Sequence, residues 1–251
     1  MKYKLEISGY RALAISSVIL YHLSNNLLPN GYLGVDIFFV ISGYLIGGHI
    51  HSSIEKNTFS LGRFWKRRFM RIIPASSTMI FITAGYHYFY EFLPEFQIKA
   101  ETGFYSLLSL VNIYFWKYNQ GYWSTSSELF PYLHMWSLSL EEQFYFCLPI
   151  YIFLIFKFKY NALLLTISLS IFSFILFYSL SSYYELASFY LLFFRGWELL
   201  IGYIVYLFKR IIKCHIGYRK LLFEFWGLSF IIFSFFCEID SLPLNVFAVL
   251  G

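Results

Sequence analysis

Residues 10–22 read Tyr10-Arg-Ala-Leu-Ala-Ile-Ser-Ser-Val-Ile-Leu-Tyr-His22, an apolar run that carries two ionisable side chains. On one helix, Arg11 and His22 would lie roughly 16 Å apart, about half the hydrocarbon thickness of a bilayer. Because ionisable groups are costly in lipid, both residues are candidate functional residues. The structural alternatives are a boundary arginine that snorkels and a histidine that faces a polar crevice.

The composition is that of a polytopic membrane protein. Of 251 residues, 59% are hydrophobic and only 13% are charged, against about 25% charged in soluble domains. We predict an all-α, transmembrane helical bundle with about seven complete spans, near 10–28, 34–50, 72–90, 143–156, 162–180, 187–208 and 221–237. Residues 242–251 form a partial last span. The net charge of +5 is expected to reflect cytoplasmic loops, with no nucleic-acid partner.

The cysteines and the N terminus carry little functional signal. Cys147, Cys214 and Cys237 are odd in number and lack ligand spacing, so neither a disulfide framework nor a metal site is predicted. Lys2 and Lys4 ahead of an apolar run resemble a signal peptide. Arg11 interrupts that run and no cleavage signal is clear, so residues 10–28 are predicted to be a retained helix.

Loop charges predict the orientation. A cytoplasmic N terminus returns the second connection to the cytoplasm, where it carries Lys56, Arg63, Lys66, Arg67, Arg68 and Arg71. Whether the aromatic run 103–116 crosses the membrane then decides the orientation of all the segments that follow it. If it crossed, the basic connection 209–220 would lie outside, and if it re-enters, that connection lies inside. We predict a re-entrant segment, which must line a functional cavity because irregular backbone is not tolerated against lipid.

Asp36 begins the second apolar run, a short loop away from His22. Antiparallel neighbouring helices would bring its carboxylate to the imidazole, orienting the ring and stabilising its charged form. That pair suits a general base. The alternative is that Asp36 caps the second helix.

The second connection ends in Arg67-Arg-Phe-Met-Arg-Ile-Ile-Pro74. Arg68 and Arg71 share a helical face, Arg67 stands beside them, and arginine forks suit phosphate and pyrophosphate groups. The alternative is that positive-inside topology alone explains these charges.

Two further blocks carry charges close to apolar runs. Glu141 and Glu142 point to different helix faces, so at most one is expected to face a cavity, and both also suit a helix N terminus. Arg195 and Glu198 are spaced i,i+3 within a span. They form either a structural ion pair or a substrate contact.

These blocks together resemble the acyltransferase 3 family, the integral-membrane O-acyltransferases of bacterial surface glycans. The resemblance rests on blocks in family order across most of the chain: Arg11 to His22, Gly34-Val-Asp-Ile-Phe-Phe-Val-Ile-Ser-Gly43, 67–74, Trp136-Ser-Leu-Ser-Leu-Glu-Glu-Gln-Phe-Tyr145 and Arg195-Gly-Trp-Glu-Leu-Leu-Ile-Gly202. It maps an Arg-x10-His pair onto Arg11 and His22, and an Arg-x-x-Arg pair onto Arg68 and Arg71.

The resemblance implies a multi-pass protein of the bacterial inner membrane with no bound cofactor. Acetyl-CoA or another acyl-CoA is the implied donor from the cytoplasm. The implied acceptor is a sugar hydroxyl of a surface polysaccharide, lipopolysaccharide or lipid-linked sugar at the outer face. The family fold has about ten membrane helices of about twenty residues each. Residues 1–251 are therefore expected to be a single domain that is incomplete at the C terminus.

The predicted site follows from these roles. The catalytic candidates are His22 as base, Asp36 as its partner, Arg11 and Glu142, with Arg11 or Arg195 stabilising the oxyanion. The predicted donor-binding residues are Arg67, Arg68 and Arg71. The other predicted cavity residues are Glu141, Arg195 and Glu198.

Two other functions stay open at this stage. One is a transporter or flippase of a lipid-linked glycan, with Arg195 and Glu198 in its pathway. The other is an inactive truncated remnant. The arginines beside the third span favour the enzyme, because a transporter needs no cytoplasmic binding site for CoA.

Overall fold

The computed structural model describes residues 5–24, 28–91, 93–118, 121, 130–211, 218–236 and 244–250. Regular secondary structure within these ranges is entirely helical, which confirms the predicted all-α class. The predictions that concern Lys2, Lys4, Cys214 and Cys237 lie outside the described residues.

The helices follow the predicted apolar runs, with shifted ends. They are α1 (Leu5–Leu23), α2 (Gly34–Glu55), α3 (Leu61–Tyr90), α4 (Leu93–Leu107), α5 (Val111–Lys117), α6 (Met135–Phe158), α7 (Ala162–Leu180), α8 (Glu185–Tyr190), α9 (Leu192–Ile211), α10 (Tyr218–Phe236) and α11 (Leu244–Leu250). A 3₁₀ turn, Gly31–Leu33, precedes α2.

Membrane-spanning length and composition are found in 4 helical segments of the described chain: Gly31–Glu55, Met135–Phe158, Ala162–Leu180 and Glu185–Ile211. The protein is therefore a multi-pass membrane protein. The predicted bounds of α7 match, whereas α3 begins earlier than predicted because its basic residues are good helix formers that extend the helix. The predicted run 187–208 is interrupted at Leu191, which has extended backbone between α8 and α9.

The chain divides into two compact units. The first comprises Met1–His49, Tyr160–Ser170 and Trp197–Gly251, and the second comprises Ile50–Lys159 and Ile171–Gly196. The first unit is organised by close contact between α2 and α9. A Cβ at Gly43 would overlap the Leu199 carbonyl group, and one at Gly47 would fall 2.5 Å from the Tyr203 ring. Glycines therefore let the two backbones touch.

The register of these contacts makes α2 and α9 parallel. Gly43 lies against Leu199, and Gly47, one turn later, lies against Tyr203, also one turn later. Parallel helices in one membrane need an odd number of crossings between them. Of the helices between α2 and α9 in the described chain, α6 and α7 have the length and composition of a span. The crossing by α3 and the re-entry of 103–116 stay predictions.

We expect Gly202→Ala to destabilise the first unit by about 2 kcal/mol, because an added methyl group overpacks the interface. Its Cβ would overlap the Val40 carbonyl oxygen and fall 2.6 Å from the Tyr44 nitrogen. Thermal unfolding in detergent measures the loss. Gly9→Ala is the matched control, since nothing lies within 4 Å of its Cβ. Equal melting temperatures for the two variants would contradict the close approach.

In the second unit, the predicted re-entrant segment is a helical hairpin. α4 ends at Leu107 and α5 begins at Val111, with Ser109 between them at a left-handed φ of 56°. Tyr114 of α5 folds back onto α4, with its ring 5.0 Å from that of Tyr105. Neither helix has the length of a span. The break agrees with re-entry, although α4 begins ten residues earlier than the predicted segment.

A charged cluster joins α3 to α4 at the far end of α3. Glu91 accepts a hydrogen bond from Lys99, and its Oε1 lies 2.8 Å from His87 Nδ1. The hydrogen bond from Lys99 lowers the pKa of Glu91, with His87 adding to that effect. Because the carboxyl pKa is lower in the folded state, the contact stabilises the fold at pH values above the ordinary glutamate pKa.

We therefore expect the α3–α4 connection to loosen as the pH falls through about 4 and below. Amide protection factors, which compare the observed exchange rate with the intrinsic rate at the same pH, should fall across Leu93–Lys99 in the native chain. Glu91→Gln should show low protection factors at every pH tested, since the amide cannot titrate. Protection factors in the native chain that stay constant from neutral pH to about pH 3 would rule out this contribution.

Candidate functional site

Three candidate residues of the first unit, Arg11, His22 and Asp36, lie on the hairpin formed by α1 and α2. Gly31 and Gly34 are pressed against α1, where added Cβ atoms would overlap the carbonyl oxygens of Ser17 and Ala14, respectively. Tyr32 meets the edge of Tyr21 at 5.6 Å between ring centroids. These contacts hold the start of α2 against the second half of α1. His22 directly follows Tyr21 in that half.

The three charged candidates on the hairpin differ in their burial and contacts. Asp36 is buried, with 3% of its surface exposed, whereas His22, in the last turn of α1, is exposed. The Arg11 guanidinium lies over the Phe38 ring at 5.1 Å, a cation–π contact that draws it toward α2. The His22–Asp36 pair stays a prediction. Glu198, also in this unit, is completely buried.

A separate cavity of about 380 Å³ lies in the first unit. Its wall is mainly apolar and includes Tyr10, Ile37, Tyr44, Val205 and Lys209. None of the predicted site residues lines it. The charged candidate residues therefore lie outside this cavity.

The second unit brings two predicted residues from different groups together. Arg68 of α3 is half-buried and lies over the Tyr145 ring of α6 at 4.6 Å. It is also close enough to Glu142, one turn before Tyr145, for their charges to interact. Stacking of Trp65 on Phe146 at 4.8 Å fixes the same pair of helices. Arg68 and Glu142, predicted to serve separate roles, thus share one cluster.

The other two predicted donor-binding arginines are more exposed than Arg68. Arg67 and Arg71 are exposed, whereas Arg68 is half-buried; the shared face of Arg68 and Arg71 follows from their i,i+3 spacing on α3. α3 therefore carries one half-buried arginine and two exposed ones in this stretch.

Arg195 occupies an aromatic pocket of the second unit. Its guanidinium lies 6.0 Å from the Trp136 ring centroid and 5.9 Å from that of Phe189. The two rings are themselves 4.5 Å apart. Arg195 is 7% exposed, and Glu141, on the same helix as Trp136, is 6% exposed. Charged side chains buried at this depth in helices of spanning length are functional candidates.

A polar connection that was not predicted holds α5, α6 and α8 together. Gln143 Nε2 donates to Asn112 Oδ1 at 2.8 Å and to the Ser109 carbonyl at 3.0 Å. Asn112 Nδ2 donates in turn to the Tyr190 carbonyl at 2.9 Å. The connection anchors Gln143 directly beside Glu142. Its sequence signal was an asparagine inside the aromatic run 103–116, since buried amides in membrane segments require partners.

We expect Asn112→Ala to destabilise the second unit by about 1–3 kcal/mol, because it leaves buried hydrogen-bonding groups of Gln143 and Tyr190 unsatisfied. Limited proteolysis near Ser109 and thermal unfolding would both report the change. Gln97→Ala is the control, because Gln97 is an exposed amide on α4. Indistinguishable unfolding of the two variants would show that the connection is not stabilising.

Comparison with known proteins places these groups in a family. The family model for the acyltransferase domain matches residues 4–245. The peptidoglycan O-acetyltransferase OatA of Listeria monocytogenes is 39% identical over 167 residues, which is 65% of this chain and 26% of that protein. The O-acetyltransferase OatA of Staphylococcus aureus is 37% identical over 156 residues, 61% of this chain and 25% of that protein.

A putative peptidoglycan O-acetyltransferase of Bacillus subtilis, YrhL, is 34% identical over 147 residues, 58% of this chain and 23% of that protein. The chain therefore matches about a quarter of the length of these relatives. No solved structure matches significantly. With residues 4–245 matched by the family model and the charged blocks in place on their helices, the chain belongs to the acyltransferase 3 family of acyltransferase domains.

Proposed function

We propose that this chain is the membrane part of an O-acyltransferase that moves an acetyl group from acyl-CoA to a hydroxyl of a cell-wall glycan. One observation carries the proposal: the second unit holds the half-buried Arg68 and Glu142 and the buried Arg195, in a chain that matches an acyltransferase domain. The relatives named as peptidoglycan O-acetyltransferases support a peptidoglycan-like acceptor.

In the first unit, His22 is the proposed general base. Its imidazole takes the proton of the acceptor hydroxyl, whose oxygen attacks the thioester carbonyl. The C–S bond then breaks, and the CoA thiolate recovers the proton from the imidazolium. The exposure of His22 supports this role, because a base must reach its substrate. Asp36 is proposed to orient the ring and stabilise its charged form.

In the second unit, the arginines of α3 are proposed to hold the donor. CoA carries phosphate and pyrophosphate groups that arginine forks bind well. The exposed Arg67 and Arg71 suit the nucleotide end, while Arg68 suits a part of the substrate that reaches inward. Arg195 and Glu141 remain proposed cavity residues.

The proposed orientation puts the N terminus and the start of α3 in the cytoplasm, with the protein in the cytoplasmic membrane. The start of α3 exposes Arg63, Lys66 and Arg67, and its end exposes Tyr86 and Tyr90. Basic residues on the inner side and aromatic rings at the interface support this assignment.

The test uses membrane vesicles that contain the chain, isotopically labelled acetyl-CoA and peptidoglycan glycan strands from which the peptides have been removed. Mass spectrometry of the strands should show an acetyl-sized gain that carries the label and disappears on mild alkaline ester hydrolysis. Vesicles without the chain give the background. Movement of intact glycan across the membrane without labelling would favour a flippase, and neither effect would favour an inactive chain.

A further inference from the structure

α6 carries two buried polar atoms that no other group in the described structure satisfies. The Ser139 hydroxyl and Glu142 Oε1 have no hydrogen-bond partner, and Ser139 is 1% exposed. Residues three apart lie on the same side of a helix, so both atoms face one region. Buried polar groups are normally satisfied in folded proteins. Two such neighbours without partners indicate that something else binds there.

The third member of this group is Arg68. Its guanidinium lies over Tyr145, one turn beyond Glu142, and its charge acts on the Glu142 carboxylate. Among the described contacts, Arg68 and Glu142 form no direct ion pair. The region therefore offers a strong hydrogen-bond donor from Arg68, an acceptor from Glu142 and a hydroxyl from Ser139 that serves as either.

From this arrangement we propose that Ser139, Glu142 and Arg68 form a binding subsite for a secondary amide of the substrate. The amide oxygen accepts from Arg68, and the amide N–H donates to Glu142 or Ser139. An ionised phosphate would satisfy only part of this set, because it accepts hydrogen bonds and donates none. The proposal rests on the acyltransferase function proposed above, and it adds Ser139 as a substrate-contacting residue.

Such an amide has two possible sources in the proposed reaction. The pantetheine arm of CoA contains secondary amides between its nucleotide and its thiol. An N-acetylated sugar of the acceptor also contains one. Binding measurements on the purified chain in nanodiscs distinguish them. Coenzyme A is compared with adenosine 3′,5′-bisphosphate, which lacks the arm, and chitotriose with cellotriose, which carries hydroxyls in place of acetamido groups.

Ser139→Ala should weaken binding of one amide-bearing probe roughly fivefold to tenfold, the value of one hydrogen bond. Binding of the amide-free counterpart should change less than about twofold. Weaker binding of coenzyme A assigns the subsite to the pantetheine arm of the donor, and weaker binding of chitotriose assigns it to the N-acetylated sugar of the acceptor. Ser137→Ala is the matched control, since that hydroxyl on the same helix already donates to the His134 carbonyl at 3.4 Å.

Equal effects of Ser139→Ala on amide-bearing and amide-free probes, or no effect on either, would overturn the subsite. Because these measurements need no turnover, they separate the subsite from the proposed reaction. Labelled acetyl transfer by the native chain, combined with unchanged probe binding by Ser139→Ala, would remove the subsite alone. Specific amide binding without any acetyl transfer would remove the proposed function and keep the binding site.

Discussion

Replacing His22 with alanine should lower acetyl transfer about 10³-fold while leaving the protein in the membrane. The expected size is that of a lost general base. His22 is exposed in the last turn of α1, so the substitution removes little packing and folding should be unaffected. The measurement is the initial rate of labelled acetyl transfer, normalised to the amount of chain in the vesicles.

Two controls make this result specific. His134→Ala removes another exposed imidazole and should keep activity within about twofold, as expected of a surface change. His22→Gln retains hydrogen bonding without proton transfer and should be as inactive as the alanine variant. Substantial activity in His22→Gln would mean that this side chain positions the substrate and does not act as the base.

Replacing Arg68 with alanine should damage stability and activity together. Glu142 would keep its partly buried carboxylate without the nearby cation, at a cost of about 2 kcal/mol, less than for a fully buried pair. The cation–π contact with Tyr145 would also be lost. We expect a lower melting temperature in detergent and a loss of acetyl transfer of about 100-fold, as for a removed substrate-orienting group.

The double variant Arg68→Ala/Glu142→Gln separates the two effects. Neutralising Glu142 should recover most of the lost stability, because the uncompensated charge is gone, but not the activity. Arg67→Ala and Arg71→Ala remove exposed arginines, so they should raise the KM for acetyl-CoA without lowering the melting temperature. A double variant as unstable as Arg68→Ala would show that Glu142 and Arg68 do not interact energetically.

The membrane character, helical class and family were predictable because they depend on local sequence. Apolar runs of spanning length leave few alternatives to helices, as lipid does not satisfy backbone hydrogen bonds. α7 illustrates this, since its ends match the predicted run. α3 and α9 show the limit. Basic residues lengthened α3, and a backbone break at Leu191 divided a run whose hydropathy was continuous.

The candidate residues were also visible as charges in apolar surroundings, but their grouping was not. Arg68 was predicted from its neighbours in the chain to act with Arg71, and its position against Tyr145 and near Glu142 was not predicted. Ser139 lies within the block 136–145 but was not singled out, because serine is common in membrane helices and only burial without a partner in the described structure distinguishes this one.

The sequence by itself determined that this protein is a multi-pass helical acyltransferase domain. Hydropathy, charge bias and motif order depend only on the order of the residues along the chain. Only the tertiary structure decided which polar groups meet: Arg68 with Tyr145, Asn112 with Gln143, and α2 in parallel with α9. These contacts join residues far apart in the chain. Their partners depend on how helices rotate and pack, which no local pattern encodes.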